Sequence, residues 1–202
     1  MNSDRIVVGI SGASGVVIAV RLLESLRVAG IETHLVVSRA AELTRALETK
    51  VSSAELRGLA EVSYNVQDVG AAIASGSFKT RGMIVVPCSM RCLAEIAAGN
   101  SSSLLTRAAD VVLKERRRLV LVTRETPLHL VHLRNMLTVT KMGGIIFPPV
   151  PAFYAAPRDL AEMTDHLVGR ILDLFEIETG LVRRWRSTSS GAKSDSPTFA
   201  SA

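Results

Sequence analysis

Short, nearly continuous runs of apolar and β-branched residues recur along the chain. Five of them, at residues 5–10, 33–38, 82–87, 119–123 and 144–147, are each too short to form a helix. Strands that are apolar on both faces are typical of a parallel sheet covered by helices on either side. The pattern therefore predicts five buried, parallel strands.

Helical periodicity fills the intervals between these runs. Residues 16–29, 104–116 and 159–175 place apolar side chains three and four positions apart, as on the buried face of an amphipathic helix. Strands that alternate with helices form a sheet with helices packed on both faces. We therefore predict an α/β fold: a single three-layer domain with a doubly wound parallel sheet, flavodoxin-like or Rossmann-like.

The end of the chain differs in composition from the rest. Residues 187–202 are dominated by small and polar side chains and contain too few apolar groups to form a core. We interpret them as a flexible polar tail. Residues 1–186 form one predicted domain, a normal size for a single hydrophobic core.

Composition narrows the classes of partner. Hydrophobic residues make up 48% of the chain and the mean hydropathy is +0.29, so we expect a homo-oligomer that hides apolar surface between subunits. No stretch reaches the roughly 18 apolar residues of a membrane helix. The net charge of +5 attracts anions, but aromatic residues are only 4% and no basic run interleaves with them, which argues against nucleic acid. A small phosphorylated ligand fits this balance.

The two cysteines, Cys88 and Cys92, lie four positions apart on one predicted loop-to-helix segment. This spacing does not favour a structural disulfide, and two thiols without a nearby histidine make a poor zinc site. No cluster of aspartates offers a magnesium site either. We therefore expect reduced thiols, a cytoplasmic location and no bound metal.

Small and polar residues follow the predicted strands, where ligands bind in open α/β sheets. The turn at residues 11–15 suits a phosphate, because small residues let backbone N–H groups approach it at the start of a helix. The same turn can be a tight connection with a serine as helix N-cap, and the turn alone does not separate the two. Strand two ends in Ser38 instead of the acid that binds an NAD ribose, so a mononucleotide is favoured over a dinucleotide.

Charged residues elsewhere also have two interpretations. Arg124 and Glu125 follow a buried strand, which favours a cleft over a surface ion pair. Lys114 shares a helix face with Arg107, and that face is either solvated or, in an oligomer, reaches an anion of a neighbouring subunit. Glu48 carries no signal in the sequence alone.

Several ordered motifs together resemble the UbiX/Pad-type flavin prenyltransferases. The resemblance runs from about Arg5 to Trp185, and its ending at residues 183–185 is closest in appearance to the B subunits associated with hydroxyarylic acid decarboxylases. The matching segments are residues 8–15, 32–38, 75–78, 87–90, 105–116, 124–128, 151–154 and 169–173.

This resemblance implies an activity and its partners. Members transfer a dimethylallyl group from dimethylallyl monophosphate to N5 and C6 of reduced FMN, and the prenylated FMN serves a partner aromatic-acid decarboxylase. They work without a metal and form large homo-oligomers, as a rule dodecamers, with sites between subunits.

Carried over residue by residue, the resemblance implies three groups of site residues. FMN contacts Gly12, Ala13, Ser14, Ser38, Ser89, Met90, Arg91, Cys92 and Arg124. The prenyl phosphate contacts Lys114, Arg124, Tyr154 and Arg170, with Trp185 beside the allyl group. Glu125 handles protons as the catalytic acid, supported by Ser14 and Glu48.

Some positions depart from the family pattern. Ile18 and Asn100 stand where tyrosines are common, and Arg91 and Cys92 stand where Lys and Thr are frequent. A thiol is a weaker hydrogen-bond donor than a hydroxyl. We therefore expect these changes to affect ligand affinity and the choice of prenyl donor more than the reaction itself.

Two other functions remain open. An FMN-dependent decarboxylase of the homo-oligomeric Cys-decarboxylase group shares the fold, but such proteins carry a Pro-x-Met-Asn segment that residues 149–154 lack. A non-catalytic FMN-binding subunit of a decarboxylase has no need of the phosphate-binding residues.

Overall fold

The computed structural model describes residues 4–185. The tail predicted at residues 187–202 and the boundary at residue 186 lie outside the described residues. Both therefore stay predictions.

A six-stranded parallel sheet forms the centre of the molecule, in the order β3-β2-β1-β4-β5-β6. Five of the strands are those that the apolar runs predict, with bounds that differ by one residue at most. The additional strand, β3, spans three residues, too few to leave a periodic signal. The strands are β1 Arg5–Ile10, β2 Glu32–Val37, β3 Val62–Tyr64, β4 Gly82–Cys88, β5 Arg118–Thr123 and β6 Ile145–Ile146.

Seven helices cover the two faces of the sheet, which confirms the predicted three-layer, doubly wound fold. The three predicted helices correspond to α1, α5 and α7. Helices α2 and α6 were missed because they bury few residues: α2 buries only Ala41, and α6 buries only Val139. Helix α4 corresponds to the predicted loop-to-helix segment that carries the two cysteines. The helices are α1 Val16–Val28, α2 Arg39–Glu48, α3 Ser53–Gly58, α4 Met90–Ala97, α5 Leu104–Lys114, α6 Leu130–Lys141 and α7 Leu160–Asp173, with short 3-10 turns at Ala72–Ala74 and Phe153–Ala155.

Two apolar cores lie on the two faces of the sheet. On one face, α1 and α7 pack against the strands through side chains such as Leu22 and Ile171. On the other face, α4 and α5 do so through side chains such as Leu93 and Leu105. Truncating one of these fully buried side chains to alanine typically costs about 2–5 kcal/mol of stability. The two cores make the sheet a rigid platform for the loops at its edges.

Helix α6 leaves a stripe of apolar side chains uncovered. Leu130, Leu133 and Leu137 lie three and four positions apart, and each is about half exposed. Within residues 4–185, no helix has the length and apolar character needed to cross a membrane.

Candidate functional site

The chain reverses its direction of winding between β1 and β4, which are neighbours in the sheet. A crevice opens beyond the carboxyl ends of the strands at such a reversal, and ligands of α/β proteins bind there. A cavity of 290 Å³ lies at this place. Five of the residues expected to contact FMN line it together: Gly12, Ser38, Ser89, Arg91 and Cys92.

Three helices begin at this cavity, each with a serine at its N-cap. The Ser38 hydroxyl accepts a hydrogen bond from the Ala41 N–H of α2 at 3.1 Å, and the Ser89 hydroxyl accepts one from the Cys92 N–H of α4 at 3.2 Å. Ser103 caps α5 in the same way. Helix N-termini carry partial positive charge, so their convergence here favours an anion such as a phosphate group.

Ser11 joins the turns that follow β1 and β4. Its hydroxyl donates to the Pro87 carbonyl at 2.9 Å and accepts from the Ser89 N–H at 2.7 Å. The side chain is buried. Ser11 therefore fixes the geometry of the two turns that line the cavity, a role that the sequence did not distinguish from that of its neighbours.

Gly12 allows the first turn to approach α2 closely. A Cβ atom at this position would lie 2.3 Å from the Cβ of Ala40 and 3.2 Å from the Ala40 backbone carbonyl carbon. No side chain fits there without moving the start of α2, which carries the Ser38 cap.

We expect Gly12→Ala to destabilise the protein by about 1–3 kcal/mol and to weaken FMN binding, because the overpacked turn pushes α2 away from the cavity. Urea unfolding and flavin fluorescence titration measure the two effects. Gly58→Ala is the matched control, since a Cβ at Gly58 meets nothing within 4 Å. Equal behaviour of the two variants would contradict the packing argument.

The start of α1 is capped from a distance. Gly15, at the N-cap with a φ of 110°, has no side chain to cap the helix. The Glu48 carboxylate instead accepts hydrogen bonds from the Gly15 N–H at 2.8 Å and the Val16 N–H at 3.1 Å. The alternative of a serine N-cap in this turn is therefore wrong for α1.

Glu48 also links Ser14 to Arg124 electrostatically. Burial raises the pKa of the Glu48 carboxyl, but hydrogen bonds from the Ser14 side chain and the Gly15 and Val16 backbones, with the positive charge of Arg124, lower it below its usual value. The carboxylate is consequently ionised at neutral pH. The structure thus brings together three residues that the resemblance assigned to the site.

The residues at this edge fit an FMN. The cavity and its three helix N-termini suit the flavin phosphate, and the close approach at Gly12 leaves backbone rather than side chain at the rim. The Thr123 hydroxyl, which ends β5 beside Arg124, is buried and has no partner within residues 4–185. An unpartnered buried hydroxyl at this edge is consistent with a bound polar group.

The remaining residues that are expected to contact FMN have distinct surroundings. Ala13 donates its N–H to the Ser11 carbonyl at 2.9 Å, and Met90 packs against the α4–α5 core. The Cys92 thiol is 6% exposed, while a hydrogen bond with Cys92 and burial raise the pKa of Cys88. Ile18 is buried in the α1 core, so its departure from the family pattern is absorbed by packing.

Arg124 and Glu125 are exposed in the single chain, so one chain does not form the cleft that the sequence predicted for them. The Arg124 backbone N–H donates to the Cys88 carbonyl at 3.2 Å, which keeps the residue at the carboxyl edge of the sheet. Glu125 accepts a hydrogen bond only from the next residue, Thr126, among the bonds of the described chain.

Lys114 does not reach the cavity of its own chain. Helix α5 begins at the cavity with Ser103 and ends at Lys114, about 15 Å further along the helix axis. There Lys114 forms an ion pair with Glu115, close to Arg118 at the start of β5. It therefore lies at the opposite, amino edge of the sheet.

Tyr154, Arg170 and Trp185 gather on and beside α7, in what we call the α7 cluster, with His166, Asp173 and Arg184. The Tyr154 and Trp185 rings meet edge to face with centroids 5.1 Å apart. Arg170 donates to Asp173 at 3.0 Å, and Arg184 donates to the same carboxylate at 2.8 Å. Burial raises the pKa of Asp173, but the two guanidinium groups outweigh it and lower that pKa.

The α7 cluster also lies away from the cavity. Just beyond α7, the Phe175 carbonyl accepts a hydrogen bond from Arg81, next to the first residue of β4. A strand of seven residues is about 23 Å long, so the end of α7 is far from the carboxyl edge. The residues that are expected to bind the prenyl phosphate are thus divided among three places in one chain.

A larger cavity of 610 Å³ lies at the amino edge, but Arg81 and Arg117 beside it already bond to Asp4 and to the Phe78 carbonyl. In the described part of the chain, no three His, Cys, Asp or Glu side chains cluster as metal ligands do.

Known flavoproteins match this chain in both sequence and structure. The Flavoprotein family model matches residues 1–176. A probable UbiX-like flavin prenyltransferase of Bacillus subtilis (strain 168) is 56% identical over 181 residues, which is 90% of this chain and 89% of the relative.

Two solved structures have the same fold at high sequence identity. One is described as AnUbiX (PadA1) in complex with FMN and dimethylallyl pyrophosphate. It is 51% identical to this chain with a TM-score of 0.89, and the match covers 91% of this chain and 97% of the AnUbiX chain. The other, a dodecameric FMN-dependent UbiX-like decarboxylase from Escherichia coli O157:H7, is 49% identical with a TM-score of 0.88, over 91% of this chain and all of its own.

Proposed function

Because the chain belongs to the flavoprotein family and, within it, to the UbiX-like flavin prenyltransferases, we propose that it transfers a dimethylallyl group from dimethylallyl monophosphate to reduced FMN. The observation that carries this proposal is that the chain has both a cavity at three helix N-termini, lined by five of the expected FMN contacts, and all of the expected phosphate-binding side chains. The product is prenylated FMN, which a partner aromatic-acid decarboxylase uses.

The reaction balances without an oxidant. The C–O bond of the prenyl phosphate breaks and phosphate leaves, while bonds form from the prenyl group to N5 and C6 of the flavin. One hydrogen is lost from each of these flavin atoms; one proton is gained by the prenyl chain and one by the phosphate. The protein must therefore stabilise a leaving phosphate and move protons.

Lys114, Arg124, Tyr154 and Arg170 are the proposed phosphate clamp. Three cations and a phenol compensate the negative charge that develops on the phosphate as the C–O bond breaks. The Trp185 ring beside Tyr154 offers a π face to the allyl group, which becomes positively charged in the same step.

Glu125 is the proposed proton-handling acid. We expect Glu125→Gln to lower kcat by about 10²–10⁴-fold while FMN binding is unchanged, because the amide fills the same space but cannot exchange a proton. Single-turnover assays with flavin titration measure both quantities. Glu24→Gln on the surface of α1 is the control, and wild-type turnover in Glu125→Gln would remove the role.

The divided clamp supports a site shared between subunits of a homo-oligomer, such as the dodecamer of the E. coli relative. One chain holds Lys114 and the α7 cluster at places distant from its own cavity. The uncovered stripe on α6 supplies apolar surface for subunit contacts.

We expect the double substitution Leu133→Asp and Leu137→Asp to break the oligomer into smaller species, since two carboxylates cannot be buried in an apolar contact. Size-exclusion chromatography with light scattering gives the mass. Val28→Asp, at a position 89% exposed, is the control. An unchanged mass in the double variant would show that α6 lies outside the subunit contacts.

The deciding experiment is incubation of the protein with reduced FMN and dimethylallyl monophosphate, followed by mass spectrometry of the flavin. We expect the flavin to gain the mass of one five-carbon prenyl unit. Dimethylallyl pyrophosphate in a parallel reaction tests donor preference. An unchanged flavin mass with both donors would overturn the proposal and favour a decarboxylase or a non-catalytic FMN carrier.

The cellular location is also a proposal. Cys88 and Cys92 are both unpaired thiols, and both are buried. Thiols that remain reduced are typical of the cytoplasm, which is where we place the protein.

A further inference from the structure

His166 is a buried histidine to which the proposed reaction gives no role. It lies on α7 one turn before Arg170 and is 6% exposed. Its Nδ1 atom is buried and has no hydrogen-bond partner among residues 4–185. A buried polar atom beside a ligand-binding group calls for an explanation.

The other ring nitrogen of His166 faces Tyr154 of the phosphate clamp. Nε2 lies 3.5 Å from the Tyr154 hydroxyl oxygen, and the two rings meet edge to face with centroids 5.8 Å apart. Trp185 packs against another side of the same phenol ring. The distance is at the long limit for a hydrogen bond.

The position of the ring hydrogen follows from these surroundings. A buried N–H without an acceptor is rarer than a buried lone pair without a donor, so we assign the lone pair to Nδ1 and the hydrogen to Nε2. Burial, with the positive charges of Arg170 and Arg184, lowers the pKa of His166, while Asp173 opposes this shift. The ring is therefore neutral at neutral pH, with Nε2–H directed at Tyr154.

We propose that His166 is a positioning residue of the phosphate clamp: its Nε2–H donates to the Tyr154 oxygen, which turns the phenol O–H away from His166 and leaves it to donate to the phosphate. This inference rests on the proposed function, in which Tyr154 contacts the prenyl phosphate. Without the histidine, the exposed phenol is free to rotate its hydrogen toward water.

Three variants test this inference in the FMN-loaded protein. In His166→Leu we expect the dissociation constant of dimethylallyl monophosphate, measured by calorimetry, and its KM to rise about tenfold, as for loss of one hydrogen bond. In His166→Gln, whose amide N–H can take the place of Nε2–H, both should stay within about twofold of wild type. FMN affinity should be unchanged in both. His166→Asn, whose amide is too short to reach Tyr154, replaces His166→Leu if that variant does not fold.

A double-mutant cycle shows whether His166 acts through Tyr154. The double variant His166→Leu with Tyr154→Phe should bind the donor no more weakly than Tyr154→Phe alone. Unchanged donor affinity in His166→Leu, equal weakening in His166→Gln, or full additivity in the cycle would each overturn the inference. Because calorimetry measures donor binding without turnover, failure of prenyl transfer in the wild type is a separate result.

Discussion

We expect two variants that are each nearly inactive, Lys114→Met and Arg170→Met, to regain prenyl transfer when their subunits are mixed. Each substitution removes one cation from the phosphate clamp, which typically costs about 10²–10³-fold in turnover. Lys114 lies at the end of α5, and Arg170 lies in the α7 cluster on the other face of the sheet. If a site takes these two residues from different subunits, random mixing leaves roughly one quarter of the sites with both intact.

Co-expression of the two variants with different affinity tags, followed by sequential purification, isolates the mixed oligomers for this assay. The matched control is a mixture of Arg170→Met with Tyr154→Phe. These residues belong to the same cluster of one chain, so no mixed site is intact and we expect no recovery. Activity of the first mixture no higher than the average of its parents would show that one chain supplies both residues.

Removal of the Glu48 carboxylate should weaken both the fold and the reaction. Glu48→Ala leaves the Gly15 and Val16 N–H groups at the start of α1 without their acceptor, and loss of a helix cap costs about 1–2 kcal/mol. The same substitution deprives Ser14 and Arg124 of a negative partner beside the proposed flavin site. We therefore expect lower turnover and lower urea stability together.

The stability effect has a defined pH dependence. The pKa of Glu48 in the folded protein is lower than its usual 4.5, so the ionised carboxylate stabilises the fold above that value. This stabilisation is lost as the pH falls from 4.5 through the lower pKa of the folded state. The difference in unfolding free energy between the wild type and Glu48→Gln should consequently shrink over this range. A difference that stays constant with pH would contradict the assigned contacts, and Glu24→Gln is the control.

The sequence alone predicts those strands and helices whose buried residues recur at a regular spacing. Strands such as β1 are apolar at nearly every position, and α5 buries a continuous stripe, so both leave a clear signal. Helices α2 and α6 are mostly exposed in the single chain and leave almost none. Their positions are set by contacts with distant parts of the chain. In the proposed oligomer, contacts with another subunit also hold α6.

The candidate site divides in the same way. Ser38 and Ser89 lie at or just after predicted strands, so the sequence alone placed them at the edge where ligands bind, and the resemblance assigned them to FMN. The contact of Glu48 with Gly15 joins residues 33 positions apart, and no local pattern encodes it. His166 was missed for a similar reason, because only the folded chain brings it to Tyr154. The resemblance assigned Lys114 to the prenyl-phosphate site, but only the structure shows that Lys114 lies far from the cavity of its own chain.

Helix α5 connects the cavity at its first residues to Lys114 at its last. If the cavity belongs to the site of its own chain while Lys114 belongs to the site of a neighbouring subunit, the length of α5 sets the distance between these two sites. One inserted residue would turn Lys114 by about 100° and advance it by about 1.5 Å. Such an insertion would leave the cavity of the same chain unchanged, but it would misplace Lys114 in the site of the neighbouring subunit. Natural variation in this family should therefore tolerate substitutions along α5 far better than changes in its length.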